Sequence, residues 1–108
     1  MQTEIHTFRE WGYPFIAQDY EGTVNTDCSD LLLAGIVVER DDDLNDIIQV
    51  AEKYIQDGMP AVMVELTHVW DMLLARNVFM HLTDVFLANG YTDTESYEHR
   101  LSYCKFPE

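Results

Sequence analysis

The densest group of residues that could do chemistry in this 108-residue sequence is a run of carboxylates. Eleven of the twenty acidic residues lie between Asp19 and Asp57, where Arg40 and Lys53 are the only basic residues. Duplex DNA carries one negative charge per about 1.7 Å of its axis, and carboxylates on a helix and its adjoining loops can imitate part of that field. We therefore predict a surface that binds a basic, nucleic-acid-handling protein. The residues predicted to form it are Glu39, Asp41, Asp42, Asp43, Asp46, Glu52 and Asp57.

The same acids allow two plainer interpretations. Residues 41–43 fall where the start of a helix favours acidic side chains, so some carboxylates would serve the helix and the others would form a solvated face. The acidity could also be a general trait of the source organism, as it is in halophiles. The sequence leaves these alternatives open.

The acids and histidines do not match the spacing of a metal site. Counted from Asp41 as the first position of a calcium loop, the sixth residue is Asp46, where the loop needs glycine. The pairs His68–Asp71 and His81–Asp84 are thirteen residues apart on one expected helix, which rotates the second pair by about 220°. The two pairs cannot face one ion, and each alone is too small for a closed zinc site. We predict no metal site.

No sequence pattern supports a catalytic assignment. Phosphate-binding loops, nucleophile elbows and zinc-protease motifs are missing, and neither Cys28 nor Cys104 stands in a recognisable catalytic context. We therefore predict no catalytic residue and no cofactor. A small enzyme or ligand-binding domain remains the rival class, and a concave pocket lined by His68, His99 or a cysteine would favour it.

The overall composition limits the class of protein. The net charge is −14 with a pI near 4.3, which argues against direct binding to nucleic acid. The hydrophobic content of 47% is typical of a folded chain, and we expect one compact acidic domain over residues 1–108. The sequence lacks a signal peptide and a long apolar run, and its two cysteines stand far apart, so we expect a cytoplasmic protein that does not enter a membrane.

Hydrophobic periodicity predicts an α+β fold, or a small α/β fold, with a small sheet packed against two helices. The helices are expected near 43–57 and 68–89, the first capped by Asp42 or Asp43 and ended by Gly58 and Pro60. A buried strand is expected within residues 31–40 and a short strand at 61–66, one on either side of the first helix. Residues 1–20 predict one or two short strands, residues 21–30 predict turns, and the alternation of Tyr97, His99, Leu101 and Tyr103 predicts a terminal strand.

The second predicted helix is apolar around most of its circumference. Asn77, His81 and Asp84 form a narrow polar stripe. A domain of two layers covers about half of such a helix, so either other elements of the chain wrap the remainder or a second chain covers it. We predict a homodimer, or a higher oligomer, in which Trp70, Phe79, Met80 and Phe86 take part in self-association, away from the acids at 39–57.

Composition also suggests what the partner-binding surface is for. Small acidic proteins without motifs include phage inhibitors of host restriction or CRISPR defence, and this analogy favours an inhibitor or decoy that occupies a basic protein. The alternative within binding proteins is an immunity protein or antitoxin that neutralises a basic nuclease toxin.

Overall fold

The computed structural model describes residues 1–12, 16–18, 21–22, 25–93 and 99–105, and these form an α+β fold, as predicted. In chain order the elements are β1 Gln2–Thr7, β2 Ile16–Gln18, β3 Asn25–Asp27, β4 Leu32–Val38, a 3₁₀ turn Asp41–Asn45, α1 Ile47–Gln56, β5 Ala61–Leu66, α2 Met72–Ala88, β6 Thr92–Asp93 and β7 Arg100–Cys104. Within these ranges no helix combines the length and the apolar character needed to cross a membrane.

A mixed five-stranded sheet has the order β1-β4-β5-β7-β6. The central strands β4 and β5 are parallel and are joined through α1, so the predicted strand–helix–strand unit is confirmed. The other pairings in this sheet are antiparallel, and β2 and β3 form a separate two-stranded ribbon. Because β4 and β5 are parallel, the loops that follow them, 39–43 and 67–71, lie at the same edge of the sheet.

The main core lies between the sheet and the helices. Alternate residues of β4 and β5 contribute to it, as the period of a strand requires. From the other side, α2 contributes Ala75, Phe79, Leu82 and Phe86, which recur at helical spacing. The ring of Phe86 stacks on Tyr103 of β7 with 4.2 Å between centroids, and the Tyr103 hydroxyl lies 2.6 Å from Thr83 Oγ1. Burial raises the pKa of Tyr103 to about 12, so this hydroxyl is neutral at physiological pH.

The opposite face of the sheet carries a second, smaller core. It contains Phe8, Leu33, Ala61, Met63 and Cys104. Trp11 packs on this cluster with its ring directly against Gly35, where a Cβ atom would lie 1.8 Å from a ring carbon. Strand β4 is therefore buried on both faces, which explains its unbroken apolar run.

Both helices begin later than the sequence predicts. Residues 41–45 form the 3₁₀ turn and α1 begins at Ile47, because the carboxylate of Asp43 accepts a hydrogen bond from the backbone N–H of Glu39 and does not cap α1. Helix α1 ends before Gly58, as predicted, and Gly58 has a positive φ of 75°. Helix α2 begins at Met72 and not at 68, because Asp71 is its N-cap and accepts from the N–H of Leu74.

The short strands were the least predictable elements. Strand β3 lies inside the segment 21–30, where only turns were predicted, and β6 was not predicted. The alternation near the C-terminus is confirmed at Leu101 and Tyr103, which are buried, while His99 is exposed and Tyr97 lies outside the described residues.

Replacing Gly35 with alanine tests the packing of Trp11. The added methyl group must displace the Trp11 ring, and overpacking of this kind costs about 1–3 kcal/mol of the free energy of unfolding. Urea denaturation of G35A, W11A and the double variant measures it. The cost of G35A should largely vanish when Trp11 is already alanine. An equal cost in both backgrounds would contradict the contact.

Candidate protein-interaction surfaces

The seven predicted partner-binding acids divide into two sets. Glu39, Asp41 and Asp43 are only partly exposed and are engaged inside the fold; we call them the inner acids. Asp42, Asp46, Glu52 and Asp57 are exposed; we call them the outer acids. Only the outer acids are available to another molecule without loss of an internal contact.

Asp41 holds together the two loops at the edge of the sheet. Its Oδ1 atom accepts hydrogen bonds from the N–H groups of Trp70, at 2.9 Å, and Asp71, at 3.1 Å. Asp71 in turn caps α2. The same loop places His68 at a φ of 52°, a conformation that non-glycine residues rarely adopt, and leaves the Trp70 side chain 85% exposed. Asp41 therefore positions the start of α2.

Asp43 fixes the end of β4 in a similar way. Its Oδ2 atom lies 3.1 Å from the N-terminal ammonium group of Met1 and accepts from the N–H of Glu39 at 3.0 Å. Burial by itself raises the pKa of Asp43, but these hydrogen bonds, that from the Arg40 N–H and the ammonium charge outweigh it, so the pKa is lowered. Asp43 is thus an ionised structural group.

The outer acids surround the solvent-facing side of α1. Asp46 and Asp57 are eleven residues apart, which places them on the same side of the helix and about 16 Å apart along its axis. Lys53 lies between them on that side, and Glu52 lies on another. Within the described part of the chain, no hydrogen bond or ion pair involves the side chains of the outer acids. The outer acids therefore form an acidic surface around Lys53 and are not aligned in a single row.

Other members of the acidic run are neutralised by a residue that sequence reasoning missed. Arg9 donates to Asp30 Oδ1 at 3.1 Å and to Asp27 Oδ2 at 3.2 Å. The pKa of Arg9 is raised by these carboxylates, Asp30 first, and that of Asp27 is lowered by hydrogen bonds from Ser29 and by Arg9. Because Arg9 precedes the run by ten residues, only the fold reveals the pairing.

The outer face of α2 is the principal exposed apolar surface. Five of the eight exposed large hydrophobic residues in the described chain lie between 70 and 87: Trp70, Met72, Leu73, Met80 and Leu87. Two residues predicted to mediate self-association do not belong to it. Phe86 is fully buried and Phe79 is 9% exposed, because both point into the core beneath α2. Trp70 and Met80 remain, and self-association itself stays a prediction.

A groove of about 580 Å³ runs between α2 and β7. It is lined by Met72, Ala75, Arg76, Phe79, Met80, Thr83 and Leu101, and so by neither of the histidines named above nor by a cysteine. Cys28 and Cys104 are free and buried, and burial, with a further contribution from Cys28, raises the pKa of Cys104 to about 11. Its thiol stays protonated at neutral pH and is a poor nucleophile. Across the described ranges, no three His, Cys, Asp or Glu side chains are grouped to hold a metal ion.

We expect Asp41→Ala to lower the free energy of unfolding by about 1–2 kcal/mol, because the backbone N–H groups of Trp70 and Asp71, just before α2, lose their acceptor. Asp42→Ala removes an equal charge from the adjacent, exposed position and should change stability by less than about 0.5 kcal/mol. Urea denaturation compares the two. Equal effects would mean that the Asp41 contacts do not stabilise the fold.

The lowered pKa of Asp43 predicts a pH dependence. A carboxyl group with a depressed pKa stabilises the folded state above its ordinary pKa, and this contribution is lost as the pH falls through the folded-state pKa. The stability difference between the natural chain and Asp43→Asn should therefore be full at neutral pH and shrink below the ordinary pKa of 3.8. Urea denaturation at neutral and acidic pH measures this difference. A difference that does not change with pH would argue against an ionised, structural Asp43.

In comparisons with known proteins, no family model, no curated protein and no solved structure matches this chain.

Proposed function

We propose that this protein is an acidic inhibitor or decoy that binds a basic, nucleic-acid-handling protein through the outer acids. The observation that carries the proposal is the division of the carboxylates into two sets. The inner acids serve the fold, whereas Asp42, Asp46, Glu52 and Asp57 are exposed and have no hydrogen bond or ion pair among the described residues. Although Asp42 lies in the first turn of the 3₁₀ element and Asp46 and Asp57 lie at the two ends of α1, the side chain of Asp46 makes no capping hydrogen bond.

Electrostatics supports binding over a purely solvating role. A net charge of −14 on 108 residues is well above the magnitude of about 2–8 that solubility requires in a small domain. Such a charge destabilises the compact state by self-repulsion, so its retention is explained best by a gain outside the fold. Charge of one sign steers a basic partner and raises the association rate by about 10–10³ at low ionic strength.

The class of partner follows from the chemistry of the surface. A protein that grips a nucleic-acid backbone presents lysine and arginine at an exposed groove, and such a groove is complementary to clustered carboxylates. Lys53 sits among the outer acids, so the surface resembles a phosphate backbone in charge sign more than in spacing. A basic nuclease toxin fits the same surface, which keeps an immunity protein or antitoxin as the alternative. The free thiols of Cys28 and Cys104 support a cytoplasmic setting for either role.

The test is a variant that removes only the outer acids. D42N/D46N/E52Q/D57N should fold with unchanged or slightly higher stability, because it relieves repulsion and breaks no contact in the described chain. Both proteins are immobilised, and each is challenged at low salt with the heparin-binding fraction of a bacterial lysate, followed by elution with rising salt. We expect basic proteins that the natural chain retains and the variant does not, with association at least about tenfold slower for the variant.

A control variant distinguishes specific contact from bulk charge. E4Q/E10Q/E21Q/D93N removes the same number of acids from other exposed positions and should leave retention unchanged. Equal retention by the natural chain and the outer-acid variant would refute the proposal. Loss of retention in both variants would mean that net charge alone, and not the position of the outer acids, explains the binding.

A further inference from the structure

The outer face of α2 has an order that its composition does not reveal. The exposed apolar residues Leu73, Met80 and Leu87 are spaced at intervals of seven. A step of seven residues returns to nearly the same side of a helix, with a drift of about 20°, so the three side chains form one nearly straight stripe. Met80 is its centre, and the stripe lies away from the core face formed by Phe79 and Phe86.

Two opposite charges flank the centre symmetrically. Arg76 precedes Met80 by four residues and Asp84 follows it by four, and both side chains are exposed. Eight residues separate them by about 12 Å along the helix, too far for an ion pair within one chain. No ion pair with either is found elsewhere in the described residues.

We propose that this face binds a second copy of the same chain, with the two α2 helices antiparallel and a two-fold axis passing at Met80. Arg76 and Asp84 lie about 6 Å below and above the level of Met80. Reversal of the second helix therefore brings Arg76 of one copy level with Asp84 of the other. By the same rule Leu73 meets Leu87, each about 10 Å from the axis, and Met80 meets Met80.

The charges on this face complement each other when a second copy binds with its α2 helix antiparallel to the first. A two-fold axis creates every pair twice, so each dimer gains two ion pairs and two leucine contacts beside the central methionines. A parallel pair in register would place Arg76 against Arg76 and Asp84 against Asp84. At the usual interaxial distance of 8–10 Å these side chains reach across the contact, so the sign of each pair decides the direction.

The remainder of the surface is compatible with this contact. The flank of α2 with Thr83 and Arg76 faces the groove beside β7, while Leu74 and Val78 on the opposite flank are half-buried. Helix α1 also packs against α2, so we place it on the Leu74 flank, away from the stripe.

Charge exchange across the axis tests the pairing. Sedimentation equilibrium of the full chain at high micromolar concentration and moderate salt should give a mass above 12.6 kDa that rises with concentration. Arg76→Asp or Asp84→Arg alone creates two like-charge pairs per dimer, and we expect each to raise the dimer dissociation constant at least tenfold. R76D/D84R keeps the net charge at that of the natural chain and restores opposite pairs, so its constant should return to within threefold.

Mixing provides a second readout. The two single variants should associate with each other, because one supplies two aspartates and the other two arginines at matching levels. Lys53→Asp and Asp57→Arg make the same changes of charge on α1 and should leave the dimer intact. A monomer mass for the natural chain, single variants that dimerise normally, or a double variant as weak as the singles would each overturn the proposal. Circular dichroism confirms that every variant is folded.

Discussion

Burial of β4 and β5 on both faces is the constraint on which the rest of the structure depends. Side chains of these strands that face the helices meet α1 and α2, and those on the other face meet Phe8, Trp11 and Cys104. Full burial of one aliphatic or aromatic side chain contributes about 1.5–3 kcal/mol, so two continuous strands of such residues dominate the stability. Gly35 permits the second face to close, because only the absence of a side chain admits the Trp11 ring.

This constraint determines where charge can be placed. No carboxylate belongs to either core, and among the described acids only Glu65, half-buried in β5, lies on an interior strand of the sheet. At the edge where β4 and β5 end, the backbone leaves donors that strands do not satisfy, and Asp41 and Asp43 accept from them. Acidic residues are therefore part of the architecture at this edge, whereas on the outer side of α1 they are not. Total charge alone does not distinguish these roles.

The limits of prediction from sequence follow the range of the interactions. Strands β4 and β5 and the existence of both helices depend on local apolar periodicity, and the sequence predicts them. The start of α2 is set by the N-cap Asp71, a local signal that the prediction of a helix from 68 overlooks, and Asp41, about thirty residues away, then holds the N–H groups of Trp70 and Asp71. The ion pairs of Arg9 cannot be predicted from local sequence, because Asp27 and Asp30 come close to Arg9 only when β1 pairs with β4. Phe79 and Phe86 lie nearly opposite the polar stripe of Asn77, His81 and Asp84, so the helical pattern contains the signal that places both in the core, although large apolar side chains alone also suit an exposed interface.

The two proposed surfaces respond to salt in opposite directions. Contact between the outer acids and a basic protein depends on long-range attraction, which is screened beyond about 8 Å at physiological ionic strength. Dimerisation through α2 is opposed by long-range repulsion between two chains of charge −14, so the same screening favours it. The Arg76–Asp84 pairs act against this trend, but exposed ion pairs contribute only about 0–1 kcal/mol each. The apolar contact between the leucine and methionine stripes of two copies changes little with salt near physiological ionic strength. A salt titration therefore distinguishes the two contacts on one protein, because partner binding weakens with added salt under conditions where self-association strengthens.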